Sequence, residues 1–221
     1  MISTDTSTLR LRPDAPPGAG PDFARLLGPA AWHRLAPAIR RRFSEKPGRS
    51  TPIRYHGIMR EVSCSAAGWL IAQACRLVGT PFALHRGTDV PVTITLRHAA
   101  AGAAIAWERA YHYPDHPTAI VCSEKRTAPD GTLIERVGAG FAMRLALSEA
   151  EGALHFHSRG YVWQAGPLRL ALPDWLSPGA AHVLHQDLGA GQFRFVMTIH
   201  HKLLGTLFHQ DGVFREEGAT P

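Results

Sequence analysis

Five side chains that can bind or react alternate along one predicted strand, which runs from Leu154 to Trp163. They occupy the odd-numbered positions and are His155, His157, Arg159, Tyr161 and Trp163. Because successive side chains of a strand point to opposite faces, all five are expected on one face. Imidazoles can transfer protons, and a guanidinium can stabilise an anion. The alternative interpretation is a solvent-facing strand with aromatic cross-strand pairs.

The histidines also have spacings that metal sites use. Of the 13 histidines, two alternate at the start of this strand, and further possible ligands follow near the chain's end, at His182, His185, Asp187, His200 and His201. Three of these groups could bind zinc or iron. However, the sequence has no His-Glu-x-x-His motif and no cysteine pair with metal-ligand spacing. We therefore interpret the histidines as hydrogen-bonded or exposed, and we predict no metal or other cofactor.

The remaining candidate residues lie on neighbouring predicted strands. Glu108 and Glu135 each precede an arginine in the sequence. Consecutive strand residues point to opposite faces, so each glutamate points away from its arginine and could face the interior. A carboxylate in the interior is a functional candidate. The predicted catalytic candidates are Glu135, His155, His157 and Arg159. The predicted ligand-binding residues are Trp107, Arg109, Tyr161, Trp163, His185 and His200.

These side chains require an extended sheet to position them. From Asp89 onward, apolar and polar residues alternate with period two, which predicts about eight strands. The later strands are expected at 118–127, 131–147, 153–164, 181–187, 192–201 and about 205–214. Pro129-Asp130-Gly131 predicts a hairpin turn, Gly138-x-Gly140 a bulge or close backbone approach, and 167–178 a proline-punctuated link. Short connections between sequential strands favour antiparallel pairing.

Helical spacing dominates the first part of the chain. Residues 22–43 are expected to form short helices separated at Pro29 and Pro37. A strand over Ile53–Val62 and a helix over Ala66–Val78 are expected to follow.

The predicted fold class is α+β. N-terminal helices should pack on a large curved antiparallel β-sheet or incomplete β-barrel, with the general shape of a lipocalin or a START domain. The predicted organisation is a disordered tail over 1–21, one domain over 22–215 and a C-terminal tail over 216–221.

The positive charge is concentrated at the front of the chain. The net charge is +6, of which the first 60 residues carry +7 and the remainder −1. This distribution argues against a nucleic-acid-binding protein. The basic helices, with Arg40 to Arg42, could instead contact a membrane surface or a partner protein. The sequence shows no signal-peptide core and no membrane-length apolar run, so we expect a cytoplasmic location. The oligomeric state is left open.

Several segments together resemble one bacterial family, the domain of unknown function numbered 4166. The similar segments are Trp107-x-Arg109, Asp130–Gly138, Leu170–Pro178, Gly191–Phe195 and Leu204–Phe214, with Phe23–Phe43 and Arg54–Gly57 fitting its opening. The resemblance spans roughly residues 22–215. Members of the family occur alone or behind a nucleotide-binding oxidoreductase-like domain. This sequence shows no such domain, so the resemblance is to a stand-alone member and carries over no NAD(P) activity. It implies no catalytic residues.

Two main functions are compatible with the predicted fold and candidate residues. The first is a binding domain for a small hydrophobic or amphipathic molecule, held in a pocket between the sheet and the helices. The second is an enzyme, such as a cyclase, isomerase or hydrolase, that acts on an apolar metabolic intermediate through strand-borne His, Arg and Glu side chains. An interaction module that contacts its partner through the basic helices is a third possibility.

Overall fold

The computed structural model describes residues 20–48, 50–77, 85–99, 104–138, 140–165, 168–173 and 177–217. Most of the predicted tail at 1–21, and residues 218–221 of the predicted C-terminal tail, lie outside these ranges. None of the described helices is both long enough and apolar enough to cross a membrane.

Proline divides the N-terminal region into three short helices, as the sequence predicts. They are α1 (Phe23–Leu27), α2 (Pro29–Arg34) and α3 (Pro37–Ser44). Pro29 and Pro37 each stand in the first turn of their helix, where the missing N–H has no intrahelical acceptor to lose. A fourth helix, α4 (Ala66–Leu77), follows the first strand.

Eleven strands make up most of the structure. Their bounds are β1 (Ile53–Cys64), β2 (Gly87–His98), β3 (Ile105–Tyr111), β4 (Ala119–Thr127), β5 (Leu133–Gly138), β6 (Phe141–Ala150), β7 (Ala153–Ala165), β8 (Leu168–Leu172), β9 (Ala180–Gly189), β10 (Gln192–His201) and β11 (Gly205–Glu216).

Ten of these strands close into an antiparallel barrel. The order around it is β6-β5-β4-β3-β2-β1-β11-β10-β9-β7, and pairing between β6 and β7 completes the ring. Closure removes the sheet edges that an open meander would expose. The broad β-barrel prediction is therefore confirmed, but the barrel is closed rather than incomplete. The fold is mostly β with few helices, so the α+β description and the lipocalin-like details are not confirmed.

Strand β7 has two different neighbours on one side. Its first half, Leu154–His157, pairs with β9, whereas its second half, Tyr161–Ala165, pairs with β8. Between the halves lies Gly160, with a φ of 111°, beside a register shift against β6. After its bulge the strand therefore stays paired with β6 but exchanges β9 for β8 as its other neighbour.

The short helices close one end of the barrel. Phe23, Leu35, Ile39 and Phe43 are buried in the same core cluster as the strand side chains. The Phe43 ring lies 5.7 Å from that of Phe156 on β7. We call this end the floor, because the helices seal it against water.

Two details of the predicted strand pattern are wrong, and a third is confirmed. The predicted strand over 131–147 is two strands, since Gly138 and Gly140 both adopt positive φ and the chain reverses there. The predicted link over 167–178 contains β8. The Pro129-Gly131 hairpin is confirmed: the N–H of Ala128 donates to the carbonyl of Thr132 at 2.8 Å.

Candidate ligand-binding cavity

The barrel encloses a cavity of about 870 Å³. Alternate residues of the surrounding strands point into it, and most are apolar. Near the floor its wall is deeply buried, as at Phe156, which is 2% exposed. At the other end, Leu170 of β8 and Leu204 also line the cavity, and each is about half exposed. We call this exposed end the mouth.

A chain of polar contacts crosses the deep part of the cavity. Lys125 on β4 and Glu135 on β5 are direct partners in the register, and the Lys125 ammonium donates to Glu135 Oε1 at 2.7 Å. The Ser123 hydroxyl donates to the same oxygen at 2.6 Å. From β3, Arg109 Nη1 donates to Ser123 Oγ at 3.4 Å. One carboxylate is thus linked to two cationic side chains inside an apolar barrel.

Mutual attraction keeps the buried pair charged. Burial favours the neutral form of Glu135, but Lys125 and Arg109 outweigh it, and the net pKa of the carboxyl is lowered. Burial lowers the net pKa of Lys125, although Glu135 acts in the opposite direction. The lowered pKa of Glu135 and the 2.7 Å contact between Lys125 Nζ and Glu135 Oε1 are those of an ion pair.

The cavity has one positive charge more than it has negative charges. Among its described lining residues, the charged ones are Arg109, Lys125 and Glu135. His185 adds no charge, because burial holds its pKa well below the ordinary value, with Arg42 and other cations contributing. In the part of the chain that the structure describes, no carboxylate lies within ion-pair distance of Arg109. An anion that enters the cavity would balance this excess.

Aromatic rings surround the polar chain. The Lys125 ammonium lies 4.7 Å from the centre of the Trp107 ring, within cation–π distance. Trp107 Nε1 and His185 Nδ1 are buried and have no hydrogen-bond partner among the described residues. Buried polar atoms normally form a hydrogen bond with protein or with ordered water. Both nitrogens are therefore available to a polar group of a bound ligand.

Closer to the mouth, two polar side chains pair across the barrel. The Tyr111 hydroxyl donates to Gln210 Oε1 at 2.9 Å, and both residues are buried. His201 and Ile71 also line this part of the cavity. This hydrogen bond satisfies the Tyr111 hydroxyl within the protein, whereas Arg109 has a single hydrogen bond, to Ser123, among the described contacts.

The floor contains a cation of its own. Arg42, expected from the sequence to be part of an exposed basic cluster, is 8% exposed. Its guanidinium lies 3.6 Å from the centre of the Phe193 ring. Arg41 beside it is exposed. The basic cluster is therefore only partly a surface feature.

Six of the residues chosen from the sequence line the cavity. They are Trp107, Arg109, Glu135, Tyr161, Trp163 and His185. The predicted single face of β7 is wrong, because the bulge at Arg159 and Gly160 exchanges its faces: Phe156 points inward before the bulge, and Tyr161 after it. His155, His157 and Arg159 are consequently outside. The four catalytic candidates do not converge, since Glu135 alone is inside the barrel.

On β10 the inward histidine is His201 rather than His200. His200 is exposed, while Ile199 and His201 line the cavity. Strict alternation from the buried Phe195 already places His201 on the inner face, so this signal was available in the sequence.

Sequence reasoning also missed Lys125, Ser123 and the Tyr111–Gln210 pair. The predicted turn at Pro129-Gly131 places Lys125 opposite Glu135, and a lysine–glutamate pair across a hairpin is a detectable signal. The Tyr111–Gln210 contact joins strands 99 residues apart. No local pattern indicates it.

Three histidines converge on the outer surface, where β7 meets β9. His157 and His182 are direct partners in the register, and His155 Nδ1 lies 2.9 Å from His182 Nε2. Among the described residues, these three form the cluster whose side chains could hold a metal ion. The pKa values of His157 and His182 are lowered by burial and by neighbouring imidazoles.

Comparison with known proteins identifies a family. The family model described as "Domain of unknown function (DUF4166)" matches residues 35–214, which is most of the chain. No curated protein matches the sequence. The matched range includes β1 to β10, most of β11 and the complete polar chain of the cavity.

Proposed function

The chain belongs to the DUF4166 family, and we propose that it binds a small amphipathic anion inside its barrel. The apolar part of the ligand would occupy the cavity, and its anionic group, of the carboxylate type, would contact Arg109. The observation that carries this proposal is the unbalanced positive charge in an otherwise apolar lumen.

The cavity supports binding of an apolar body. Its volume of about 870 Å³ lies in the range of about 300–1,000 Å³ that is usual for small-molecule sites. Near the mouth the wall contains Tyr161, Trp163 and leucines of β8. Such a surface gains free energy when an apolar molecule displaces water from it. The pocket lies within the barrel rather than between an open sheet and the helices.

The polar chain supports recognition of an anion. A guanidinium presents several N–H donors in one plane and suits a carboxylate, whereas Lys125 is already committed to Glu135. Arg109 has a single weak hydrogen bond, to Ser123, among the described contacts. An incoming carboxylate would therefore gain charge-assisted hydrogen bonds without breaking the buried pair.

A matched pair of probes tests the proposal. We would measure binding of a dansyl-labelled long-chain fatty acid and of its methyl ester, which has the same body without the charge. The acid should bind at least about tenfold more tightly than the ester, a difference of about 1.4 kcal/mol. Arg109→Gln should weaken binding of the acid and leave that of the ester unchanged.

The control is Arg97→Gln, which removes an exposed arginine from the outer face of β2. It should change neither affinity. Equal affinities of the wild-type protein for acid and ester, or no binding of either, would overturn the proposal. Native mass spectrometry of protein purified from cells would then identify any retained ligand.

An enzyme is the second candidate function, and Glu135 is the observation in its favour. This carboxylate is ionised and lines the cavity, so it could accept a proton from a bound apolar intermediate, although the hydrogen bonds from Lys125 and Ser123 lower its basicity. His155, His157 and Arg159 would not contribute, because they lie outside the cavity. Glu135→Gln should abolish any turnover that is found; turnover that survives the change would exclude Glu135 as the base.

A further inference from the structure

We propose that His155, His157 and His182 form a binding site for a divalent transition-metal ion of the zinc type on the outer face of the barrel. The site is separate from the cavity and does not depend on the proposed ligand. It would join β7 to β9 at the place where the barrel closes.

The distances between the three imidazoles are close to those of a metal site. One ring nitrogen of each histidine lies within 4.8 Å of the corresponding nitrogens of the other two. In a tetrahedral zinc site the Zn–N distance is about 2.0–2.1 Å, which places neighbouring nitrogens about 3.4 Å apart. The three rings are stacked, with interplanar angles of 7°, 8° and 15°. Metal binding would require rotation of the rings about their side-chain bonds to bring the nitrogens to this spacing.

The backbone supplies the ligands from a fixed framework. His155 and His157 alternate on β7, and His182 is the register partner of His157 on β9. A strand pair holds such positions more rigidly than a loop does, and preorganised ligands lower the cost of metal binding. All three side chains are partly buried, so their ring positions are restricted by neighbours.

A second layer of contacts orients one of the ligands. The Ser148 hydroxyl lies 2.9 Å from His157 Nε2 and fixes that ring on the outer face of β6 and β7. Metal-binding histidines commonly use their other ring nitrogen for such a hydrogen bond. A small recess of about 300 Å³ adjoins His157 and His182 and has room for a water molecule as a fourth ligand.

The surrounding charges are compatible with a cation. Arg159 is close to His157, but it is exposed, so solvent screens its charge. Glu149 is close enough to His155 for an electrostatic interaction, and it forms an ion pair with Arg34 at 2.6 Å. Imidazole ligands favour zinc, copper and nickel over magnesium or calcium. The donor set therefore selects the class of metal.

Metal binding at this place would reinforce the seam that closes the barrel. The pairing between β7 and β9 has only four residue pairs, and β7 bends away at Gly160 immediately afterwards. A metal bound to both strands would oppose their separation. It would stabilise the folded state because the unfolded chain does not hold the three ligands together.

The test uses the full chain without a polyhistidine tag, freed of metal with a chelator. Isothermal titration with ZnCl2 should show about one binding site per chain. At zinc concentrations about 100-fold above the dissociation constant, the melting temperature should rise by about 5–10 °C. Co²⁺ in place of Zn²⁺ should give the visible absorption of tetrahedral coordination.

Substitution of the histidines tests whether zinc binds at this site. His157→Gln and His182→Gln should each weaken zinc binding at least about tenfold and remove the thermal shift. His56→Gln, which changes an exposed histidine on β1, should leave both unchanged. Circular dichroism without metal checks that each variant is folded. Absence of zinc binding in the wild-type protein, or equal binding in folded His157→Gln and His182→Gln, would overturn the proposal.

Discussion

Glu135 accepts a hydrogen bond from the ammonium of Lys125 at 2.7 Å, and this buried pair connects β5 to β4 inside the barrel. Each side chain is only 8% exposed, so neither charge has bulk water as an alternative partner. Loss of either charge would therefore change both the stability of the barrel and the net charge of its cavity.

Removing one member of the pair should destabilise the protein strongly. Lys125→Met leaves the Glu135 carboxylate buried without its cation, at an expected cost of about 3–5 kcal/mol in the free energy of unfolding. The double variant Lys125→Met with Glu135→Leu should recover most of this loss, because no unpaired charge remains. Urea unfolding at neutral pH measures both values. A single variant as stable as the wild-type protein would contradict the prediction.

The pair should also produce a defined pH dependence. Since the pKa of Glu135 is lower in the folded protein than in the unfolded chain, its stabilisation is present above about pH 4.3, the unfolded value. It is lost as the pH falls from there through the folded pKa. The difference in unfolding free energy between the wild-type protein and Glu135→Gln should shrink over this acidic range. A difference that stays constant down to acid unfolding would exclude this coupling.

A bulky side chain in the cavity should block binding of the amphipathic anion. Met197 points into the cavity, and the preceding residue on β10, Val196, points outward. Met197→Trp should weaken fatty-acid binding at least about tenfold, because the indole occupies space that the ligand needs. Val196→Trp is the matched control on the opposite face. Similar affinities of the two variants would place the ligand elsewhere.

The bulge in β7 should depend on glycine. Gly160 has a φ of 111°, a conformation that costs an L-residue with a side chain about 1–2 kcal/mol. A Cβ there would meet no neighbouring atom, so Gly160→Ala tests backbone strain alone. We expect the free energy of unfolding to fall by that amount. Gly48→Ala, at a position without positive φ, serves as the control and should have a smaller effect.

The floor should contribute strongly to stability. The centre of the Phe43 ring lies 5.1 Å from the ring centre of Phe23, 5.7 Å from that of Phe156 and 5.0 Å from that of His185. Phe43→Ala removes these contacts and leaves a cavity, so we expect a loss of about 3–5 kcal/mol. Ile58→Ala changes a side chain that is 48% exposed and should cost much less. Chemical denaturation compares the two; equal losses would show that the helices do not seal the barrel.

Local patterns in the sequence indicated most of the elements that position the cavity. Pro29 and Pro37 separate the helices because proline lacks the N–H that a helix interior requires. The turn at Pro129-Gly131 brings Lys125 opposite Glu135, since hairpin geometry fixes the register around a turn. Alternation placed Trp107 and Arg109 on one strand face. All of these depend on residues that are close together in the chain.

Tertiary structure alone decided which face became the inside. Closure of the barrel requires pairing of β6 with β7, of β7 with β9, and of β1 with β11, and the last of these joins strands about 150 residues apart. The bulge at Gly160 then exchanges the faces of β7, so that Tyr161 points inward while His155 and His157 point outward to meet His182. The sequence by itself determined the strands, their alternation and the excess of positive charge near the N-terminus. The shared cavity and the histidine cluster depend on contacts between distant segments, whose free energy is gained only when the whole barrel has formed.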